Sequence, residues 1–489
     1  MSASDINITE KQYSIVKQPY RELYCRVNLL NYQFQVVDEL SGIVVSDSWT
    51  ISATSDIRRT GTLVIVPDDI SEYKIQSGSK IFLDKYVQVF IGIKDNHTDE
   101  VIYNNMGIYL INNPTHTFDS TTNQISLQLI DLMAKLTGLR NGYLEGYEYQ
   151  LKEGQNVRDI IVALLERAGF TDYSIEINEE DYQTIQYDMS IDGTGTVYDI
   201  LKTINENQYV NYQMYFDVNG TFHFKRIPMD DTIDTVMVDD DIWQYTYISH
   251  DVTTDYESLK NDIVVLGKTH TASQYCNDCQ LNTSTKVFTM SNASIRSERD
   301  HIKLAFTTPS NMSDTTPNTQ YYINFNNYGS HPLKTSLGST DFTLKHDTYY
   351  VIKLHIDTTT PSNIYWQFMG ENQPRAEIKE DNPDSPFYVN GSVGDIRIVL
   401  SGGDYDNIST DDLAYQRAKY ELYTRCRLND SLTLTCLPIY WLDVNWLITI
   451  KLPTETEVKP FIVKEISISN GVTATQTIQL MSFYNFYPS

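Results

Sequence analysis

The stretch Ile57-Arg58-Arg59-Thr60-Gly61-Thr62-Leu63-Val64-Ile65-Val66-Pro67 opens a run, ending at Gly138, whose reading decides the fold. It continues through Ile81-Phe82-Leu83, Val87-Gln88-Val89-Phe90-Ile91-Gly92-Ile93 and Gly107-Ile108-Tyr109-Leu110-Ile111. It closes on Ile125-Ser126-Leu127-Gln128-Leu129-Ile130-Asp131-Leu132-Met133-Ala134-Lys135-Leu136. Apolar and polar residues alternate with period two, punctuated by Asn, Asp, Gly and Pro. That pattern predicts a small antiparallel β domain with one helix-like end.

Outward from that run, Leu23-Tyr24-Cys25-Arg26-Val27-Asn28-Leu29 leads into the first domain, and beyond Gly138 the texture changes. Asn156 stands where a helix N-cap belongs, with Val157, Ile160, Ile161, Leu164 and Leu165 at helical spacing and Gly169 as the stop. Thr196-Val197-Tyr198-Asp199 opens a second helix with Val197, Ile200, Leu201 and Ile204 on its apolar face. The shared Val-x-Asp-Ile is satisfied by two similarly capped amphipathic helices, with an internal repeat as the alternative. Met214–Val218, Asn219-Gly220 and Thr221–Phe224 predict a hairpin, because both turn residues tolerate positive φ. His223, between two Phe, is expected as a packed or edge histidine.

From about Lys268 to Asp404 the chain is rich in Asn, Thr, Ser and Tyr, with short strand-like runs such as Tyr349–Ile356. Turn clusters at Thr307–Asn311 and Asp357–Asn363 separate them, which suggests a β-sandwich insertion. Ile364, Trp366 and Phe368 share one strand face and are expected in its core, leaving Tyr365 as the candidate for a surface contact. Ser409 is expected to cap a helix through Leu413–Leu422, with Asp412 three residues on. Strands Leu432–Cys436, Leu447–Ile450 and Ile462–Ile468 follow, with Tyr440-Trp441-Leu442-Asp443-Val444-Asn445 between the first two.

The chain has 489 residues, 41% hydrophobic and 21% charged, an ordinary globular mix. At roughly 150 residues per domain, about three or four domains are expected. The 36 Tyr suit strands and interfaces, since a large ring carries a polar tip. A formal net charge of −27 argues against a protein that grips nucleic acid by neutralising phosphates. It fits either plain solubility or an acidic conduit that repels DNA and lets it slide. The amino terminus lacks the layout of a secretion signal, and no apolar run approaches the ~20 residues of a membrane-spanning helix.

Five cysteines, Cys25, Cys276, Cys279, Cys426 and Cys436, are an odd number and no disulfide framework. Cys276-Asn277-Asp278-Cys279 has metal-ligand or redox spacing, and Cys426 with Cys436 could complete four thiolates. The second pair lacks the close spacing of a zinc ribbon, so free thiols are expected and the metal question for Cys276 and Cys279 stays open. Asp404, Asp406, Asp411 and Asp412 lack EF-hand spacing and suit a helix start instead. Asn178-Glu179-Glu180-Asp181 reads as a solvated acidic loop. Gly-x-Ser-x-Gly, His-Glu-x-x-His and Walker-type motifs are absent from the sequence, and no catalytic residue, cofactor or metal site is assigned.

The Arg-Arg-Thr-Gly-Thr-Leu strand, the acidic turn after it and the hairpin closing on Met106-Gly107-Ile108-Tyr109-Leu110 resemble the amino-terminal domain of baseplate hub, or tail-associated, proteins of tailed bacteriophages. The Leu129–Leu136 run fits the end of that domain. The Thr196–Leu201 helix with its Asn-Gly hairpin is similar to the family's second domain, and Leu259–Gly267 to the strand that follows. A helix with Ala414-x-x-Arg417-Ala418, then Trp441-Leu442-Asp443-Val444-Asn445, resembles the carboxy-terminal domain of hubs from phages of Gram-positive hosts. These blocks occur in family order over about three quarters of the chain.

The resemblance implies an α+β, β-dominated multidomain protein: two tube-like antiparallel β domains, an α/β middle domain and a β-sandwich-like insertion. The expected boundaries are 1–140 and 251–267 plus 405–489 for the two ring-forming β domains, 141–250 for the middle domain, and 268–404 for the insertion. It further implies a non-enzymatic homotrimer at the virion tail tip, assembled in the host bacterial cytoplasm. Its pseudo-sixfold ring would match a hexameric tail tube or distal tail protein to a trimeric spike or fibre, beside the tape measure protein, and would line a channel that passes DNA without tight binding. Some members carry a fused lysin; here the chain ends at Ser489, and none is expected. The alternative is a carbohydrate-binding adhesion protein acting on host cell-wall glycan through 268–404.

Overall fold

The computed structural model describes residues 8–483, apart from 41, 75, 187–188, 210, 229–235, 239–240, 270–273, 299–301, 336–337, 357–362, 372, 409, 428 and 471–472. The period-two segments form strands Arg59–Val66, Tyr86–Lys94, Val101–Phe118 and Asn123–Asp131. Leu63, Ile65, Leu127 and Leu129 point into one core, and the intervening Thr62, Val64, Ser126 and Gln128 point away from it. The helix-like end is a single 3-10 turn, Leu132–Lys135, capped by Asp131, whose side chain accepts from Met133 N. Ile81–Leu83 forms no strand; Ile81 packs in the core while Leu83 is exposed.

Both ends of the polypeptide belong to one 13-stranded sheet. Its main path runs Tyr247–Asp255, Asn429–Cys436, Thr475–Ser482, Lys459–Asn470, Ile43–Ser52, Arg59–Val66, Asn123–Asp131, Val101–Phe118, Tyr86–Lys94, Leu23–Leu30, Val36–Glu39. The seam between the amino- and carboxy-terminal halves is the antiparallel pairing of Glu465–Asn470 with Asp47–Ser52. One hydrophobic core spans it: Trp49, Leu63 and Leu127 pack with Leu434, Ile466 and Leu480. Gly61 faces Trp49 so closely that a Cβ there would lie 2.3 Å from Trp49 Cζ3.

The middle segment carries both expected helices. Val157–Arg167 is capped by Asn156 and followed by Gly169 at φ +88°, and Val197–Gln208 begins with a Thr196–Asp199 capping box. Their apolar faces pack on the three-stranded sheet Tyr212–Phe216, Phe222–Arg226, Tyr173–Ile175 and on Ile108, Leu110 and Ile130 from the back of the large sheet. The hairpin's first strand stops at Phe216 rather than Val218, because the Asp217 carboxylate accepts from Asn219 N and Thr221 N and closes the turn.

The remaining strands differ from the expected boundaries. Tyr247–Asp255 lies in the large sheet, but Asp262–Leu266 leaves it to pair with Arg375–Lys379 and Arg397–Leu400, and helix Asp411–Arg425 packs on that trio. The two flanks of the insertion thus zip to each other, which draws residues beyond 375 out of it. The insertion itself is seven strands between Tyr275 and Glu371 closed into a barrel, one sheet curled on itself in place of two facing sheets. Closure leaves no free strand edges. Trp366 is 0% exposed at the barrel's centre among Phe325, Leu333 and Leu354. The expected cap Ser409 lies outside the described residues; the helix is capped by Thr410, which accepts from Leu413 N.

Candidate functional site

Three features stand out, a joint, a sheet face and two sheet edges, and of these the joint is the one built from the motifs quoted from the sequence. At the joint, Arg58 and Arg59 from the strand-opening motif meet Asp443 from the Trp-Leu-Asp-Val-Asn turn. Arg58 Nη2 lies 3.3 Å from Asp443 Oδ1, and Arg59 Nη2 donates to Asp443 Oδ2. Both arginines are buried, at 6% and 3% exposure, so each donor needs a protein acceptor. Arg58 also donates to Val444 O at 2.7 Å and Gln213 Oε1 at 2.9 Å, with its guanidinium 3.8 Å from the Tyr215 ring centre. Arg59 Nη1 donates to Phe216 O at 2.6 Å, and its backbone N donates to Asp131 at 2.8 Å. Asn445, at φ +59°, donates to the same Gln213 oxygen at 2.9 Å. The amino-terminal strands, middle hairpin and carboxy-terminal turn are therefore tied at one point.

Burial pushes Asp443 up, but the two guanidiniums and Val444 N outweigh it and hold the carboxyl below its usual range. Asp131 is pushed up to about 6 by burial, against the Arg59 and Met133 N–H groups that favour its charge.

The outward face of the large sheet carries short neutral side chains in register across the seam. One row runs Ser249, Thr435, Thr477, Ser467, Thr50, Thr60. The next runs Thr475, Ser469, Ser48, Thr62, Gln128, Asn112. A third is Asp251, Thr433, Gln479, Glu465, Ser52. Six strands at about 4.8 Å spacing make this face roughly 24 Å wide. Its three rows contain no Lys or Arg, and their two charges are acidic.

The sheet path ends at Tyr247–Asp255 and Val36–Glu39, which carry no further strand among the described residues. Ile248 and Val252 on one edge, and Val36 and Val37 on the other, are exposed. Exposed apolar edge strands are templates for pairing with another chain.

Other singled-out residues lie elsewhere. Burial pushes the Cys276 and Cys279 thiols up to about 12, away from the thiolate that binds metal. Cys436 Sγ sits 3.8 Å from Gln476 Oε1 in the large sheet, and Cys426 Sγ 3.8 Å from Glu380 Oε2 beside the small one. Among the described residues no group of three His, Cys, Asp or Glu could hold a metal ion. Tyr365 stacks on His355 at 5.0 Å. The acidic loop is not simply solvated: Arg226 pairs with Glu180 at 2.9 Å and Asp181 at 2.5 Å, strapping it to the hairpin. His223 lies half-buried, Nε2 3.3 Å from Asp217. Asp411 accepts from Arg375 N at 3.0 Å, and burial pushes its carboxyl up to about 7. Among the described residues no helix is long and apolar enough to cross a membrane. Sequence reasoning missed the Arg–Asp joint, whose members are far apart in sequence; the paired arginines opening a strand were its one signal.

A family model described only as a domain of unknown function, DUF5048, matches residues 384–487. No curated protein matches. Among solved structures, a 43 kDa tail protein of prophage MuSo2 from Shewanella oneidensis is similar at TM-score 0.49 and 9% identity, covering 94% of this chain and 98% of that one. A tail protein from Neisseria meningitidis MC58 is similar at TM-score 0.49 and 10% identity, covering 94% and 96%. Prophage tail protein gp18 from Listeria monocytogenes EGD-e is similar at TM-score 0.46 and 8% identity, covering 93% and 94%.

Proposed function

We propose that this chain is a structural hub at the tip of a phage tail, three copies closing into a ring whose bore passes DNA. The observation that carries the reading is the shared sheet: amino- and carboxy-terminal strands lie side by side in one surface bounded by two edges that carry no further strand among the described residues. Such a surface can meet its own copy edge to edge around a threefold axis, with two β modules per copy giving six similar positions. Six positions abut a hexameric tail tube or distal tail protein, and the threefold whole seats a spike or fibre.

The hydroxyl-bearing face turns to the bore in this arrangement. Short neutral side chains neither trap phosphates, as Lys and Arg do, nor offer large apolar surface, and the net charge of −27 repels a polyanion. The protein acts here by shape and symmetry, with the tape measure protein as a further neighbour and a host of Gram-positive type. Light scattering tests the first step. Three copies of 56.3 kDa give about 169 kDa, alone or with a tail-tube partner, and a monomer in both settings refutes it. Thr50→Lys with Thr477→Lys tests the second. Genome release from particles carrying it slows at low salt and recovers at high salt, and unchanged release refutes the lining.

A further inference from the structure

The chain enters the barrel once and leaves it once, and the two crossings are tied to each other. Gly267 N donates to Pro374 O at 2.8 Å, and Gln373 Nε2 donates to Gly267 O at 2.7 Å. At the exit, Gly370 at φ +90° leaves a space filled by the Asp411 carboxylate, 2.6 Å from where a Cβ would stand. Every member of the barrel's hydrophobic core lies between Cys276 and Phe368. The barrel therefore packs as a unit of its own on a narrow stalk, the arrangement from which hinged movements arise.

The barrel also meets the middle segment at its side. Lys353 alternates with core residues Ile352 and Leu354, and Gln367 with Trp366 and Phe368, so Lys353 and Gln367 point out of the barrel. Both are nevertheless buried. Lys353 Nζ donates to Glu153 Oε2, and His355 Nε2 lies 3.3 Å from Glu153 Oε1 and 2.7 Å from Gln367 Oε1. Glu153 stands on the turn before helix Val157–Arg167, which is anchored by Gly154 N donating to Ile185 O at 2.8 Å. The neighbouring Lys152 is exposed, whereas Lys303 lies across the ladder from Lys353 and adds positive charge to the barrel's side. One carboxylate on the body thus answers a cationic face on the barrel. A buried ion pair gains little beyond its own desolvation cost, but a buried charge left without its partner is strongly unfavourable. Such a contact favours docking while the carboxylate is in place and opposes it once the carboxylate is gone.

We propose that the barrel is a docked arm: Glu153 latches it to the middle segment through Lys353 and His355, and loss of that latch frees it to swing on its stalk as an intact unit. Release bares Lys353 and His355 beside Lys334, which lies 5.5 Å from the Tyr365 ring centre, a basic and aromatic face on a chain of net charge −27. The latch does not rest on the hub reading.

The test uses the full-length protein in small-angle X-ray scattering behind size exclusion, with amide hydrogen exchange on the same samples. Glu153→Lys, which sets a further cation against Lys353 and His355, lengthens the maximum dimension by about 13 Å, the radius of gyration of a 100-residue domain. Exchange in peptides within 275–371 stays at the wild-type rate, because the barrel keeps its own core. Glu153→Lys with Lys353→Glu restores the ion pair in reverse and returns the wild-type scattering curve. A Glu153→Lys curve that superimposes on wild type, a lengthening accompanied by faster exchange throughout the barrel, or a charge swap that stays extended overturns the proposal.

Discussion

Replacing Asp443 by Asn removes one negative charge and almost no volume from the joint. Both guanidiniums it serves stay buried, and breaking a buried ion pair by removing one partner costs about 3–5 kcal/mol. Arg58 keeps Val444 O, Gln213 and the Tyr215 ring, and Arg59 keeps Phe216 O. The asparagine oxygen still accepts one hydrogen bond, so the lower end of the range, about 3 kcal/mol, is expected. That is roughly a hundredfold in the opening equilibrium read by amide hydrogen exchange. Peptides covering 59–66, 212–226 and 429–482 should exchange about a hundredfold faster, while barrel peptides between 275 and 371, with their own core, should not change. Acid should erase the difference. Asp443 titrates below its usual range when folded, so its stabilisation is present above the unfolded value near about pH 4 and is lost as pH falls through the lower folded value. Joint peptides within threefold of wild type, or a barrel loosened equally, would refute the joint.

Gly61→Ala places a Cβ 2.3 Å from Trp49 Cζ3. Trp49 donates Nε1 to Asp47 at 2.5 Å and packs on Tyr109, so a loss of roughly 1–3 kcal/mol is expected by urea titration, with an altered near-ultraviolet tryptophan band. Asp411→Asn should gain stability over wild type as pH rises. The wild-type carboxyl, at about 7 when folded, loses stability from the unfolded value near about pH 4 up to its folded value and is level above it; urea midpoints at about pH 5 and 8 check the sign. Val252→Lys with Val37→Lys, one on each sheet edge, should abolish self-association in light scattering without moving the melting temperature by more than a few degrees.

The fold was legible where local physics dominates. Period-two strands around Leu63 and Leu127, the Asn156 and Thr196 caps and the Asn219-Gly220 turn all follow from residues within a few positions of each other. The strap from Arg226 to Glu180 and Asp181 was not legible, because a charge run reads as solvated until its partner strand is placed beside it. Nor was the split at 251–267: Asp262–Leu266 has the same apolar texture as a strand of the large sheet. Only its pairing with Arg375–Lys379 across the barrel insertion assigns it elsewhere.

The joint is the harder case, and it says what the buried charges do. Arg58, Arg59 and Asp443 could be replaced by apolar residues of similar volume at little cost in stability, because desolvating such groups offsets their attraction. What an apolar patch would lack is direction. Arg59 fixes its strand to Phe216 O and Asp131 while pairing with Asp443, and Arg58 does the same through Val444 O and Gln213. These bonds are met together only when the carboxy-terminal turn lies at one position along the first half of the sheet. That position sets the seam in which Ser467 faces Thr50 and Ser469 faces Ser48. A slip by one residue would turn Ile466 and Ile468 outward and bury the hydroxyls. The Arg58→Met, Arg59→Met, Asp443→Leu triple variant, which leaves no buried charge unpaired at the joint, separates the two roles: it should recover more than half of the stability lost in Asp443→Asn, yet allow faster exchange at the Glu465–Asn470 seam than in wild type. Full recovery at the seam would mean that apolar packing alone sets the register.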